Sequence, residues 1–468
     1  MRGVVKSLNI LKLLKPNNKV ALIQGNRRIT YSQLLSGGLR FGGCLRREGI
    51  KAGDNVLVFI PLSIELYTAM IGAWSIGASA IFIDYSRGSK FVSDSLERLK
   101  PNIVVCDSIT GLIRNMYSKM CKVKMVNIKS YSEPVNIEEV DAGHPAVLTF
   151  TSGTTGIPKI AVRTHGFLIN QYSVLCRYIN FNENHIDLGT LPIFTLANLA
   201  ANMTTLLPDK SYRSKINTKK LAKKMNCENV TRAICSPTLM ANLLNYSNLP
   251  NLKNVYLGGG PVYPSILEKI RKDVDLHIIY GSTEAEPISG IRWADVSVND
   301  RQKIARGEGL LVGDIVSEVQ CKIGESQEIL VSGEVALKGY LDGIGDSENK
   351  IYEEDKIWHR TGDAGYIDKQ GRLWLLGRVD QAIRDKAGTL YHFCAECVLD
   401  ARYGIRGAIL ALKGERVVVI EKGAADFEDV LRELKPQLIT RVVEVKKIPM
   451  DKRHGAKVDY DKLRNLIK

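Results

Sequence analysis

Residues 148–159, with the sequence LTFTSGTTGIPK, determine how the rest of the chain is interpreted. An apolar run leads into a loop of alternating hydroxyl side chains and glycines that ends at Lys159. Hydroxyl groups can donate hydrogen bonds to oxyanions, and glycines allow positive φ angles and a close approach of backbone N–H groups. The loop therefore predicts a phosphate site made of Thr151, Ser152, Gly153, Thr154, Thr155 and Gly156, with Lys159 as its cation. Its spacing is not that of a P-loop, and its composition alone also allows an ordinary turn.

Length and composition indicate a soluble globular protein of more than one folded unit. The chain has 468 residues, of which 45% are hydrophobic and 25% charged. This length exceeds one ordinary domain and predicts two or three units. The net charge of +15 is spread along the chain, with only short clusters such as Lys219-Lys220. Because basic residues do not alternate with aromatic ones in any stretch, we expect no nucleic-acid partner.

The cysteines and the long apolar stretch bear on localisation. Nine scattered cysteines without a secretory signal predict reduced thiols and a cytoplasmic protein. Residues 56–83 are apolar enough to suggest a membrane span, but Pro61, Gly72 and Gly77 interrupt them. We interpret this stretch as a buried strand, helix and strand, and expect no integral membrane association.

Alternating strand and helix patterns predict the fold class. Strands at 55–60, 79–83 and 102–106 alternate with helices at 63–75 and 89–99. A second strand-helix-strand passage runs through 186–207. This alternation is typical of a doubly wound α/β sheet.

Two later segments suggest contacts with a nucleotide. Glycines follow an apolar strand at Gly258, Gly259 and Gly260, where a flat group can approach the backbone. A second strand delivers Tyr280, whose ring can stack on a purine, followed by Gly281, Ser282, Thr283 and Glu284. The Glu284 carboxylate suits Mg²⁺, which takes one or two carboxylates together with phosphate oxygens. Taken singly, each segment is also compatible with a plain strand and turn.

A hairpin at 358–378 carries Asp363 at one end and Arg378 at the other. Together with the 148–159 loop, the Thr361-Gly362-Asp363 and Gly377-Arg378 motifs resemble the adenylate-forming (ANL) superfamily of acyl-CoA synthetases, adenylation domains and luciferases. The resemblance implies a large N-terminal AMP-binding domain of doubly wound sheets with a small β-subdomain at 1–379. It also implies a small, mobile α+β domain at 380–468 that turns about a hinge at Asp380.

The resemblance also assigns a reaction and residue roles. Such enzymes use ATP and Mg²⁺ to convert a small-molecule carboxylic acid into an acyl-AMP, with release of pyrophosphate. By position, Asp363 and Arg378 bind the ribose, and the 258–260 glycines line the adenine and acyl chain. The implied catalytic residues are Thr283 and Lys457 on the α-phosphate, Lys159 on the β- and γ-phosphates, and Glu284 through Mg²⁺.

The sequence locates the acyl pocket only approximately. Phe194 and Thr195 stand where many relatives have an aromatic residue followed by histidine, and we expect them to contact the substrate. Glu286 either recognises a polar group of the acid or faces solvent.

The second half-reaction is the open point. Gly388 falls one residue later than the glycine whose backbone lines the pantetheine tunnel in thioester-forming members, and Arg384 replaces their usual lysine. The segments 280–287, 388–391 and 453–457 instead resemble bacterial β-lactone synthetases of olefin biosynthesis. This resemblance implies that the substrate is a hydroxy-fatty acid and that its own hydroxyl displaces AMP to close a β-lactone. The alternatives are transfer to CoA or to the pantetheine of an acyl-carrier protein, and a silent nucleotide-binding homologue.

Overall fold

A helix that is buried except at Glu65 connects two neighbouring strands of one sheet. In the computed structural model, Asn55–Phe59 and Ser79–Phe82 are strands, and Ile64–Ser75 is a helix whose first turn is capped by the Ser63 hydroxyl. Its 12 residues are too few for a bilayer, which needs about 20. No helix among the described residues is long and apolar enough to cross a membrane. The predicted strand-helix-strand unit is confirmed.

The structure describes residues 8–83, 88–113, 123–151, 159–209, 216–450 and 458–467. The chain forms two compact units, the first comprising 1–234, 249–252 and 337–348, and the second 235–248, 253–336 and 349–468. The predicted boundary between 379 and 380 remains a prediction.

The first unit contains two largely parallel sheets. The strands up to residue 235 are β1 (Val20–Gln24), β2 (Arg27–Thr30), β3 (Asn55–Phe59), β4 (Ser79–Phe82), β5 (Ile103–Cys106), β6 (Met125–Asn127), β7 (Pro145–Thr151), β8 (Lys159–Thr164), β9 (Ile186–Gly189), β10 (Thr204–Leu207) and β11 (Arg232–Cys235). One sheet has the order β6-β5-β3-β4-β7-β8 and is parallel except for β8. The other has the order β11-β9-β10-β1-β2 and is parallel except for β2.

Helices connect these strands, as the alternating pattern predicts. They are Tyr31–Arg47, Ile64–Ser75, Ser89–Leu99, Ser108–Ile113, His165–Tyr178, Pro192–Ala200 and Thr218–Cys227. Thr30 caps the first of them in a reciprocal arrangement with Gln33, which fixes where the helix begins. The short strand β6 lies in a polar region where no period predicts it, and it pairs with β5.

The second unit is built on a mostly antiparallel sheet. Its strands are β12 (Asn254–Leu257), β13 (Asp275–Tyr280), β14 (Ser289–Arg292), β15 (Leu310–Ile315), β16 (Val319–Ile323), β17 (Glu328–Gly333), β18 (Lys350–Glu353), β19 (Lys356–Ile367), β20 (Arg372–Arg378), β21 (Ile383–Asp385), β22 (Gly388–Leu390), β23 (Gly407–Leu412), β24 (Glu415–Glu421) and β25 (Arg441–Val445). The main order is β12-β13-β14-β15-β20-β19-β17-β16, with β18 beside β19. The helices from residue 235 onward are Pro237–Leu244, Pro264–Leu267, Val298–Ala305, Asp346–Asn349, Phe393–Tyr403, Phe427–Glu433 and Tyr460–Leu466.

Helix Phe393–Tyr403 is attached to residues 263–265 through two carboxylates. Tyr263 donates a short hydrogen bond to Glu396, and the Ser265 N–H donates to Asp400 Oδ2 at 2.9 Å. The Tyr460 hydroxyl also donates to Glu396, at 3.4 Å. Burial raises the pKa of Glu396 to about 7, against the opposing influence of these donors and of Arg406. The carboxyl group is therefore partly protonated near neutral pH.

The raised pKa of Glu396 predicts a pH-dependent stability. The unfolded carboxyl has a pKa near 4.5, so folding takes up a proton between about pH 4.5 and 7. The contribution of Glu396 to stability is therefore fully present below pH 4.5 and is lost as the pH rises through 7. In urea titrations between pH 5 and pH 8, we expect the unfolding free energy of the wild type to fall by about 2 kcal/mol more than that of Glu396→Gln. Glu428→Gln, an exposed control, should behave like the wild type. Parallel pH profiles for the wild type and Glu396→Gln would contradict this.

Candidate functional site

Strand register in the second unit brings the predicted ribose-binding residues Asp363 and Arg378 together with Tyr280, which was predicted to stack on the purine. Asp363 on β19 lies opposite Arg378 on β20, and Arg378 Nη1 donates to Asp363 Oδ1 at 3.1 Å. Tyr280, the last residue of β13, donates its hydroxyl to Asp363 Oδ2 at 2.8 Å. Burial raises the pKa of Tyr280 well above its usual value, and the Asp363 charge adds to this effect. Tyr280 thus stays protonated and orients the carboxylate, which keeps acceptor capacity for hydroxyl groups.

The glycine of the Thr361-Gly362-Asp363 motif has a steric reason. Gly362 has a φ of +69°, and a Cβ there would lie 2.6 Å from Nη2 of Arg378. A side chain would therefore displace the arginine that pairs with Asp363. The Thr361 hydroxyl fixes the same turn, because it donates to the Ile329 carbonyl at 2.8 Å and accepts from the Asp363 N–H at 3.1 Å.

The two predicted glycine-containing turns lie at one sheet edge. Strands β12 and β13 are parallel neighbours, so residues 258–260 and 281–284 both follow carboxyl ends, where α/β proteins bind ligands. A Cβ on Gly258 would lie 2.7 Å from the Ile279 carbonyl oxygen, which leaves no room for a side chain. The following turn is closed by the Ser282 N–H, which donates to the Ala285 carbonyl at 2.7 Å.

His359 lies near Glu284, and Lys350 lies near His359; neither residue is predicted from its sequence context. His359 is 3% exposed, and burial lowers its pKa to about 4; the Lys350 charge lowers it further, while Glu284 opposes both. Lys350 is 4% exposed and pairs with His359 across β18 and β19. Glu284 itself is half-buried. Among the described residues, no group of three or more His, Cys, Asp or Glu side chains is arranged to hold a metal.

In the first unit, only part of the phosphate site is described. Lys159 begins β8 and is 5% exposed, with Nζ 5.9 Å from the centre of the Tyr340 ring. Thr151 ends β7, but its side chain is not described. The predicted residues Ser152, Gly153, Thr154, Thr155, Gly156 and Lys457 lie outside the described part of the chain.

The predicted acyl-pocket residues lie in different units of the chain. Phe194 and Thr195 lie in helix Pro192–Ala200 and are 4% and 0% exposed, so both face the core of the first unit. Glu286 is half-buried in the second unit, two residues beyond Glu284. Their contact with a substrate remains a prediction.

The second unit thus combines an α/β sheet edge, two glycine turns and a carboxylate held by Tyr280 and Arg378, as is typical of a nucleotide-binding enzyme. The model of the family described as "AMP-binding enzyme" matches residues 13–341. The chain belongs to this family, and the resemblance to the adenylate-forming superfamily is confirmed. It is an ATP-binding, adenylate-forming acid ligase by family.

The similar proteins include a β-lactone synthetase and a CoA ligase, which correspond to the two alternatives for the second half-reaction. The olefin β-lactone synthetase of Xanthomonas campestris pv. campestris is 25% identical, over 93% of this chain and 90% of the relative. The 2-succinylbenzoate–CoA ligase of Bacillus licheniformis is 25% identical, over 82% of this chain and 81% of the relative. The structure of o-succinylbenzoate coenzyme A synthetase from Bacillus subtilis with ATP and magnesium ion shares the fold, with a TM-score of 0.80 at 20% identity over 96% and 97% of the two chains.

Proposed function

We propose that this enzyme adenylates a 3-hydroxy carboxylic acid of fatty-acid type, and that the acid's own hydroxyl then displaces AMP to close a β-lactone. The observation that carries the second step is the hairpin of β21 and β22. In thioester-forming members the corresponding backbone lines the pantetheine tunnel. In this chain Gly388 begins β22 after a two-residue turn, with a φ of +104°.

Arg416 fixes this hairpin from behind. Its Nη2 donates to the Gly388 carbonyl at 2.9 Å, and its guanidinium also holds both oxygens of Asp385, at 2.7 and 2.8 Å. Arg416 is 7% exposed, so these bonds lie in a protected environment. Arg416 thus holds Gly388 at its position one residue later than in the thioester-forming pattern, and a hairpin fixed in this way supports a step without a thiol.

The relatives support the same step. The olefin β-lactone synthetases align over 93% of this chain, whereas the 2-succinylbenzoate–CoA ligases align over 82–84%.

In the first step, a carboxylate oxygen of the acid attacks the α-phosphorus of ATP, and the bond to pyrophosphate breaks. The protein contributes position and charge. Asp363, held by Tyr280 and Arg378, is placed to accept the ribose hydroxyls. We assign Thr283 and Lys457 to the α-phosphate and Lys159 to the β- and γ-phosphates.

Glu284 fits a Mg²⁺ ion. It is a single half-buried carboxylate next to a turn at the carboxyl edge of the sheet, and Mg²⁺ takes one or two carboxylates plus phosphate oxygens. When bound there, the ion would neutralise phosphate charge.

In the second step, the 3-hydroxyl oxygen attacks the acyl carbon, and the bond between this carbon and the AMP oxygen breaks. The hydroxyl proton passes to water, and AMP leaves as the phosphate monoester. We also propose that 380–468 turns about Asp380 between the steps. Asp380 Oδ1 lies 3.6 Å from Arg378 Nε, so a change at this hinge would alter the ribose site.

The test is pyrophosphate release with Mg·ATP in the absence of any thiol. A matched pair of acids, a 2-alkyl-3-hydroxy acid and its 3-deoxy analogue, isolates the hydroxyl. We expect many turnovers with the first, with AMP and lactone in equal amounts, and a single-turnover burst with the second, because its acyl-AMP has no nucleophile to release it.

The second candidate, a thioester ligase, is favoured by the succinylbenzoate–CoA ligase relatives. It predicts a burst with both acids that becomes continuous only when CoA or a carrier-protein pantetheine is added. That result would overturn lactone closure while leaving adenylation intact. No pyrophosphate release with any acid would instead indicate a silent homologue.

A further inference from the structure

A cleft in the first unit lies between the turn after β1 and helix Thr218–Cys227. Its volume is about 310 Å³, and its walls include Gly25, Asp209 and Leu221. A volume near 300 Å³ is at the lower end of the range for small-molecule sites. The cleft is separate from the predicted phosphate loop and from the ribose site in sequence.

Lysines dominate the charge of this cleft. Lys220, Lys223 and Lys224 all line it, at positions i, i+3 and i+4 of one helix. Lys220 pairs with Asp209 at 2.6 Å, which compensates the one carboxylate in the wall. Lys224 pairs at 2.7 Å with Glu228, a side chain that Arg28 also holds. Lys223 is exposed and forms no ion pair with another described residue, so an excess of positive charge remains.

The position of the cleft also fits a ligand site. Strands β1 and β10 are parallel, with Gln24 opposite Leu207, so the Gly25 turn and Asp209 both follow carboxyl ends. Strand β9 is the next parallel neighbour, and its carboxyl end leads into the predicted acyl-pocket helix Pro192–Ala200. Ligands of open α/β sheets bind outside the carboxyl ends of the strands. Neighbouring strands are about 4.8 Å apart, which places the cleft within roughly 10 Å of the start of that segment.

We infer that this cleft is an anion site for a phosphate group, with the exposed Lys223 as its main cation and the paired Lys220 and Lys224 beside it. Lysine ammonium groups are mobile point charges that suit phosphate oxygens without requiring one fixed geometry. The phosphate can be inorganic phosphate or a phosphate group of a larger ester such as CoA, the rest of which would extend out of the cleft. The site is independent of the second half-reaction and of the acid that is used.

The helix supplies its own matched control. Lys219 and Lys223 are both exposed lysines on helix Thr218–Cys227, but only Lys223 lines the cleft. Calorimetric titrations of inorganic phosphate and of CoA would be made with wild type, Lys223→Gln and Lys219→Gln, with AMP present to occupy the nucleotide site. Loss of one charge contact near the surface corresponds to about a fivefold change in affinity.

We expect Lys223→Gln to weaken binding about fivefold and Lys219→Gln to leave it unchanged, with affinity falling as salt rises. If both probes bind and Lys223→Gln weakens both equally, the cleft is a site for the phosphate group itself. If only CoA binds, the cleft is a site for the ester. The inference is overturned if neither probe binds with saturation, or if the two variants lose affinity equally. Pyrophosphate release should remain at the wild-type rate in Lys223→Gln, so the result is distinguishable from a failure of the proposed reaction.

Discussion

Replacing Asp363 with alanine is expected to lower kcat/KM for ATP in pyrophosphate release by at least about 100-fold. The carboxylate is placed to accept both ribose hydroxyls, and hydrogen bonds to a charged group contribute about 1.5–3 kcal/mol each. The change also leaves the partly buried guanidinium of Arg378 without the carboxylate that lies 3.1 Å away. Initial rates over a range of ATP concentrations, with saturating acid, measure the effect.

Two comparisons separate this role from a structural one. Asp355→Ala changes an exposed carboxylate between β18 and β19, outside the ribose site, and should have wild-type kinetics. Asp363→Asn keeps the shape and one acceptor oxygen, and should lie between the wild type and the alanine variant. An unchanged KM and kcat in Asp363→Ala would refute the ribose-binding role.

Replacing Lys457 with alanine is expected to slow acyl-AMP formation by about 1,000-fold while ATP binding changes by less than about threefold. A positive group aimed at charge that develops in the transition state typically contributes about 10²–10³ in rate. The lysine lies outside the described residues, two residues before the capping Asp459 of helix Tyr460–Leu466. Single-turnover acyl-AMP formation and equilibrium ATP binding measure the two effects separately.

A lysine in that helix provides the control. Lys462 is exposed and pairs with Asp459, so Lys462→Ala removes an equivalent charge without affecting the implied catalytic position. It should retain nearly full activity. Normal turnover in Lys457→Ala, or a parallel loss of ATP binding, would contradict a role confined to the transition state.

Local signals in the sequence were sufficient for the helices and strands that carry strong patterns. The helix Tyr31–Arg47 begins directly after its capping residue Thr30, and the interrupted apolar run at 56–83 forms a strand, a helix and a strand. These elements depend on side-chain period and on backbone caps, which act over a few residues. The three-residue strand β6 is too short to show a period, and only its pairing with β5 defines it.

The nucleotide-site residues Tyr280, Asp363 and Arg378 were identified from their motifs, but the sequence does not place them together. Tyr280 and Asp363 are 83 positions apart, and their hydrogen bond depends on the order of β13, β14, β15, β20 and β19 in one sheet. The buried Lys350 beside His359 has no sequence signal at all, since burial of a lysine is decided by the strands around it.

The sequence by itself determined the family, the adenylation chemistry and most of the α/β pattern, because motifs and periods are written over short stretches. Only the tertiary structure decided that Tyr280 and Arg378 hold Asp363, that Arg416 donates to the Gly388 carbonyl, and that lysines of one helix line a cleft beside Gly25. Each of these arrangements joins residues far apart in the chain. Such contacts are set by strand order and register, which long-range packing selects and local sequence does not encode.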